Sequence, residues 1–507
     1  MKMVRSVLLG SAAGLIAAGA AQAADLPVKA KAIEYVRVCS LYGAGFYYIP
    51  GTDTCIKLGG YLRAEAALGT SYHFSPAEGG VGGARNRLSD YYNARSREDL
   101  TIDTRSATEY GIVRTFFEAT FSWTTGTYGG AGTTASNGGT TYTTSTSSQI
   151  AGGSLGVYYA FIQFAGFTMG KAQSQFTTPW AQYPANIVEL PGSSGWDPVN
   201  QFAYTFDFGQ GITAALSVED QVIRSTTNVW NVSAATAASL ATGTYGGNDI
   251  GGSRAPDVVA MVRIDQAWGL FQASLAAHDN HAGYYGASEA TGHPDDKWGW
   301  AGQLALSVKN IPTGTGDSIN LTGVYTNGAS RYNFQDYMSG TTFALYGSSG
   351  LAGVYQSVGL AGISDSVFVS GSGQQLTTTY GVQGGYTHNW DPHWNTTLFG
   401  AWAAARYNSQ AKGYICGAFA TGLALSSGTS GCNPDFNYSI VGTKTAWTPV
   451  KNLTFSAELA YMMLDQKYAG GSTVVLPAQS GTAKPGTVYE LKDQNTFALL
   501  LRAQRNW

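Results

Sequence analysis

The chain has 507 residues, a formal net charge of −3, 12% charged and 13% aromatic residues, and 66 glycines. Its charge density is about half the roughly 25% of ordinary soluble domains, and a balance this close to neutral excludes nucleic acid as a partner, since phosphate binding calls for a strongly basic surface. A single soluble core rarely grows beyond about 250–300 residues without splitting into domains, yet no linker or change of composition follows Cys55.

The first 23 residues set Lys2 and Arg5 ahead of an apolar run from Val7 to Ala21 and finish on the small-residue triplet Ala21, Gln22, Ala23, the layout of a secretory signal peptide. That run is shorter than the roughly 20 residues of a spanning helix and no later run exceeds it, so a helical membrane protein is excluded. Without residues 1–23 the chain carries 27 basic and 32 acidic residues, a net charge of −5. Residues 24–55 form a leading segment and 56–507 the main domain. The four cysteines fall into two pairs of equal separation, Cys39 with Cys55 and Cys416 with Cys432. Export implies an oxidising compartment, and of the three connectivities the expected one joins each local pair. Zinc is the rival, but neither pair has a Cys-x-x-Cys spacing or a close His.

From Ile56 the chain alternates with a period of two. Ile56, Leu58, Leu62, Ala64, Ala66 and Leu68 point one way; Lys57, Tyr61, Arg63 and Glu65 point the other. The pattern returns at Val113, Phe117, Ala119 and Phe121 against Arg114, Glu118, Thr120 and Ser122. It recurs at Val258, Ala260, Val262 and Ile264 against Met261, Arg263 and Asp265, and at Leu453, Phe455, Ala457, Leu459 and Tyr461 against Thr454, Ser456 and Glu458. Half-buried soluble sheets alternate as well, so the connections decide. Short turns, such as 110–111, 209–211, 268–269 and 448–452, take turns with long polar loops around 70–96, 125–153, 174–197, 223–255, 279–298, 328–373, 408–435 and 466–486. A sandwich, lectin or β-solenoid lacks this regular asymmetry. It is the layout of an all-β transmembrane antiparallel β-barrel of about sixteen strands, with periplasmic turns and extracellular loops, large enough to leave an aqueous channel.

The last segment, TFALLLRAQRNW, puts Phe497, Leu499, Leu501, Ala503 and Trp507 on one face. An amphipathic final strand ending on an aromatic residue is similar to the signal read by the barrel-assembly machinery of bacterial outer membranes. Arg505 interrupts that face at the membrane edge, where its head group can reach the interface. The mature chain resembles the alphaproteobacterial general porin family, most strongly in ADLPVKAKAIEYVRVCSLYGAGFYYIPGTDTCIKLGGYLR and in LLLRAQRNW. The resemblance implies a homotrimer in outer-membrane lipid and lipopolysaccharide, passing ions and small hydrophilic solutes by passive diffusion, with no cofactor and no catalysis. It further implies that the third loop, TTPWAQYPANIVELPGSSGW, folds into the pore and carries Glu189 towards a ladder of basic side chains. Candidates for that ladder are Arg63, Arg105 and Arg114, with Lys57, Arg263 and the strand-end Lys171.

Other signals carry less. His278, His281 and His293 with Asp279, Asp295 and Asp296 offer a possible cation site, but loop residues are solvated by default. There is no P-loop. The Thr-, Gly- and Ser-rich stretch 125–148 is of low complexity. A substrate-selective channel for sugars or anions, and a barrel serving mainly as a surface receptor or adhesin, are the competing functions; the long loops at 223–255 and 328–373 favour restricted access. An energy-coupled receptor would need a separate plug ahead of the first strand, more than residues 24–55 supply.

Overall fold

A computed structural model describes residues 37–69, 79–89, 91–124, 134–137, 140–143, 149–150, 153–180, 185–186, 190–196, 198–221, 228–334 and 342–507. The signal peptide, Glu189 and most of the low-complexity stretch lie outside them. The chain divides into two compact units after Ile56. In the first, a disulfide joins Cys39 to Cys55, both buried with Phe46. Tyr47–Tyr48 pairs antiparallel with Cys55–Ile56, and the Arg37 guanidinium lies 4.8 Å from the centre of the Tyr48 ring.

The second unit is a barrel. Its strands are β1 (Cys55–Leu68), β2 (Tyr92–Thr108), β3 (Gly111–Thr124), β4 (Gly153–Phe164), β5 (Phe167–Gln173), β6 (Pro198–Asp207), β7 (Ile212–Glu219) and β8 (Asp257–Gln266). They continue as β9 (Gly269–Asn280), β10 (Lys297–Lys309), β11 (Ser318–Asn327), β12 (Thr378–Asn389), β13 (Trp394–Arg406), β14 (Phe436–Val450), β15 (Leu453–Gln466) and β16 (Gln494–Asn506). Among the described residues these sixteen pair in sequence order, and β16 returns to β1 through a register running from Tyr61 opposite Asn506 to Leu68 opposite Leu499. Closure gives every strand two neighbours, the condition for crossing lipid without orphaned N–H and C=O groups.

Period-two alternation sets the faces. Leu62, Leu216, Leu275, Leu304, Leu398 and Val441 point outward and are each more than half exposed. Rings bound this apolar band. Trp300, Tyr325, Tyr380 and Trp402 run across β10–β13 with centroids 5.2, 6.4 and 5.7 Å apart. Trp394, Trp447 and Phe455 run across β13–β15 nearer the short turns, 5.6 and 5.7 Å apart. On β13 the two belts are eight residues apart, about 27 Å of strand at ~3.4 Å per residue. At a tilt of about 40° that is roughly 20 Å of height, close to the ~25 Å apolar band of outer-membrane barrels.

Closure demands close approach beside the seam. A Cβ on Gly60 of β1 would lie 1.9 Å from the Asp99 carbonyl oxygen of β2, and the Trp507 N–H donates to the Gly60 carbonyl at 3.1 Å. Forcing a side chain into such a site costs ~1–3 kcal/mol or more. Gly60→Val should therefore deplete the heat-modifiable barrel seen on gels of membrane fractions. Gly413→Ala, with nothing within 4 Å of its Cβ, should leave it unaltered. Equal yields from the two variants would show that the seam tolerates a wider spacing.

Candidate functional site

The described residues of the third loop, 174–180, 185–186 and 190–196, lie in the lumen because their apolar and amide groups find partners on inward strand faces. Phe176 packs with Val259, Ala276, Ala301 and Val324. Its carbonyl accepts from the Gln303 side chain at 2.7 Å and the Gln272 side chain at 3.2 Å. Trp180 is buried against Leu270 and Ala305, with its indole N–H 3.3 Å from the Thr322 hydroxyl. Further on, the Asn186 N–H donates to the Glu458 carboxylate and its amide to the Ser456 hydroxyl at 2.9 Å. Arg502 donates to the Asn186 side-chain oxygen at 2.9 Å. On the way back the Trp196 indole donates to the Tyr159 hydroxyl at 2.7 Å. Asn186 thus meets the β15–β16 wall and Trp196 meets β4.

Charged side chains line the wall that this path leaves. Glu65 of β1 is held between Arg95, at 2.5 Å, and Arg502, at 2.6 Å. Arg63 bonds the Gln504 amide oxygen at 2.8 Å and lies 4.3 Å from the Tyr61 ring centre. Arg105 and Arg114 converge on one carboxylate, Asp103, at 2.9 and 3.0 Å, and Arg114 also donates to Gln163 at 2.9 Å. Arg97 donates to Ser122 at 2.9 Å, and Arg263 to Gln272 at 2.9 Å.

The structure therefore brings Arg63, Arg105, Arg114 and Arg263 to the lumen, and Lys57 shares their inward parity at the short-turn end of β1. Across the strands, Arg63 takes Gln504 and Arg114 takes Asp103. Lys171 is a correction. It shares the parity of Phe167 and Met169, and Met169 opposes the outward, half-exposed Phe202. Its ammonium donates to the Val157 carbonyl at 2.6 Å, so a strand-end lysine serves the outer face, not the ladder. Arg95, Arg97 and Arg502 escaped the sequence reading, although period two sets Arg502 on the face opposite Leu499 and Leu501, and sets Arg95 and Arg97 on the same face of β2 as Asp99 and Asp103.

Above the lumen the loops are built as a folded roof. Trp230 and Tyr245 from loop 220–256, Tyr346 and Val358 from loop 328–377, Ile415 and Phe419 from loop 407–435, and Val474 and Tyr489 from loop 467–493 share one buried apolar cluster. Helix α1 (Ser409–Gly422) is capped by the Asn408 side chain, which accepts from the Ala411 N–H at 2.9 Å. The Cys416–Cys432 disulfide ties it to its own loop. Burial pushes the Tyr346 hydroxyl up to about 12. Loop 328–377 also descends: Phe334, Phe343, Ala361 and Ile363 pack on inward Phe399, Tyr438, Met462 and Leu500. Its Asp365, raised by burial, receives Ser330 at 2.7 Å and lies 3.7 Å from His278, whose other nitrogen is 2.8 Å from Asp257. Of the loop carboxylates, Asp279 and Asp296 both pair with Arg254. Among the described residues no group of three His, Cys, Asp or Glu side chains could hold a metal.

Glu65 carries the tightest arrangement. Breaking a buried ion pair by removing one partner costs about 3–5 kcal/mol, so Glu65→Gln should lower the temperature at which the folded barrel is lost on gels. Arg105→Gln should lower it far less, because Arg114 still satisfies Asp103. Indistinguishable midpoints would deny Glu65 a part in holding the seam.

A family described as "Porin subfamily" matches residues 25–500. Porin Omp2b of Brucella suis biovar 1 (strain 1330) is 34% identical over 219 residues, 43% of this chain and 54% of its own length. Porin Omp2a of Brucella ovis is 35% identical over 230 residues, 43% of this chain and 59% of its own. The chain thus spans little more than half the length of these curated relatives. In fold it is similar to the outer membrane channel DcaP of Acinetobacter baumannii, with a TM-score of 0.55 at 16% identity, covering 91% of this chain and 99% of that one. A closed barrel with an apolar band and aromatic belts is a structure of the bacterial outer membrane. By a match that runs from the leading segment almost to the last residue, the chain belongs to the Porin subfamily.

Proposed function

We propose that the protein is an outer-membrane porin, a homotrimer whose barrels each conduct ions and small hydrophilic solutes by passive diffusion, without cofactor or catalysis. The observation that carries this reading is the third loop anchored across the lumen opposite a wall of guanidinium and carboxylate groups. Fixed charges at a narrow, low-dielectric passage orient polar solutes and penalise apolar ones that cannot exchange hydration for polar contacts. Arg63, Arg105, Arg114 and Glu189 carry the selectivity in this reading. Trimer formation comes from the family. It is supported by the small outward residues Ala64, Ala66, Ala457 and Ala503, which frame a shallow apolar concavity across β13–β16 and β1 where another barrel can approach closely. Phe497, Leu499, Leu501 and Trp507 form the outward strip offered to the assembly machinery, and the apolar band meets lipid and lipopolysaccharide.

A selective channel is the second reading, favoured by the folded roof, whose shared core narrows access from outside. Planar-bilayer recording tests the first. The purified trimer should give stepwise currents, with Arg63→Gln moving the reversal potential in a salt gradient towards cations and Glu189→Gln towards anions. Both shifts should shrink at high salt, as the Debye length falls from about 10 Å at 0.1 M to about 3 Å at 1 M. A correctly assembled trimer that carries no current would end the reading.

A further inference from the structure

A recess of about 320 Å³ opens in the lumen wall between β3–β5, Arg263 of β8 and the root of the third loop, within the range of small-ligand sites. One side is aromatic. Phe116 and Phe161 stack with centroids 5.4 Å apart and planes 29° from parallel, and Tyr159 stands edge-on to Phe161 at 6.2 Å. The opposite side is polar and incompletely satisfied. One end of the Gln173 amide and the Thr178 hydroxyl are buried with no hydrogen-bond partner among the described residues, and Thr178 is only 2% exposed. Arg263 uses its Nε on Gln272, and among the described residues its two terminal nitrogens have no hydrogen-bond partner. Arg114, on the same wall, is already matched by Asp103. Glu118 is not part of the lining.

Buried polar groups are nearly always hydrogen-bonded, and leaving one unmade costs more than the bond itself adds. Two such groups and a half-used guanidinium, all turned to one recess beside an aromatic floor, describe a ligand. We propose that this recess is a solute subsite of the channel for a sugar acid of monosaccharide size, a hexuronate-like molecule; the proposal rests on the diffusion-channel reading. The carboxylate pairs with the open face of Arg263, where two parallel N–H donors match its two oxygens. Ring hydroxyls satisfy Gln173 and Thr178, and the apolar face of the pyranose lies on Phe116 and Phe161. A flat aromatic acid satisfies Arg263 but leaves Gln173 and Thr178 orphaned. A neutral hexose does the converse.

Single-channel recording of the trimer in potassium chloride, with D-glucuronate, D-glucose or benzoate added, separates these cases. Glucuronate should interrupt the current saturably, with a half-blocking concentration about tenfold below those of glucose and benzoate, the worth of one charge-assisted bond. Arg263→Gln should raise the glucuronate value about tenfold and leave glucose unchanged. Thr178→Val, which keeps side-chain shape, should weaken glucuronate and glucose together. Current without glucuronate-dependent interruptions overturns the subsite and leaves the porin reading standing, whereas no current at all removes both. Equal block by benzoate or by glucose overturns the assignment to a sugar acid.

Discussion

In hydrocarbon a backbone N–H or C=O has no water to turn to, and the arrangement of this barrel follows from that condition. The edge of β1 must meet the edge of β16, and the register that joins Tyr61 to Asn506 fixes which side chains the seam presents. On the lumen side it gathers Arg63, Gln504, Glu65 and Arg502, so closure of the sheet also assembles the charge cluster that receives the tip of the third loop through Asn186. The bonds that make the wall continuous and those that shape the passage share residues. Gly60 lies where the two demands meet, with the β2 backbone filling the space a side chain would need.

Much of this was legible in the chain. Alternation found the strands and their faces because a period of two has a fixed physical cause, and the turn-and-loop asymmetry found the architecture. The two cysteine pairs joined as their spacing suggested. The error at Lys171 came from weighing its position before a loop above its parity with Phe167 and Met169. Arg95, Arg97 and Arg502 obeyed the same rule and were there to be read. What periodicity could not supply was partner choice across strands: Arg114 reaches Asp103 because β2 and β3 pair Arg105 with Arg114 and Asp103 with Phe116, a register invisible from either strand alone.

The loops hid more. An aqueous interior asks for polar inward faces, yet Ala403 and Ala405 of β13, Met462 and Leu464 of β15 and Leu500 of β16 turn apolar groups inward and are buried. The explanation lies in loop 328–377, whose Phe343 and Ile363 cover them. The runs WAAA and YMML, apolar at successive positions, were the available sign that these upper walls meet protein on one face and lipid on the other.

The roof has a consequence for what the cell shows to its surroundings. Because Trp230, Tyr346, Phe419 and Tyr489 belong to four different loops and one core, the outer surface is a composite relief and no loop owns its own shape. An antibody or phage tail fibre that grips it reads a discontinuous epitope, which a linear peptide copied from any one loop does not reproduce. Escape by deleting a loop would strip the apolar cover from the other three. The variation open to the bacterium is thereby confined to side chains on the rim of the relief, and the scaffold beneath can change only by concerted substitution.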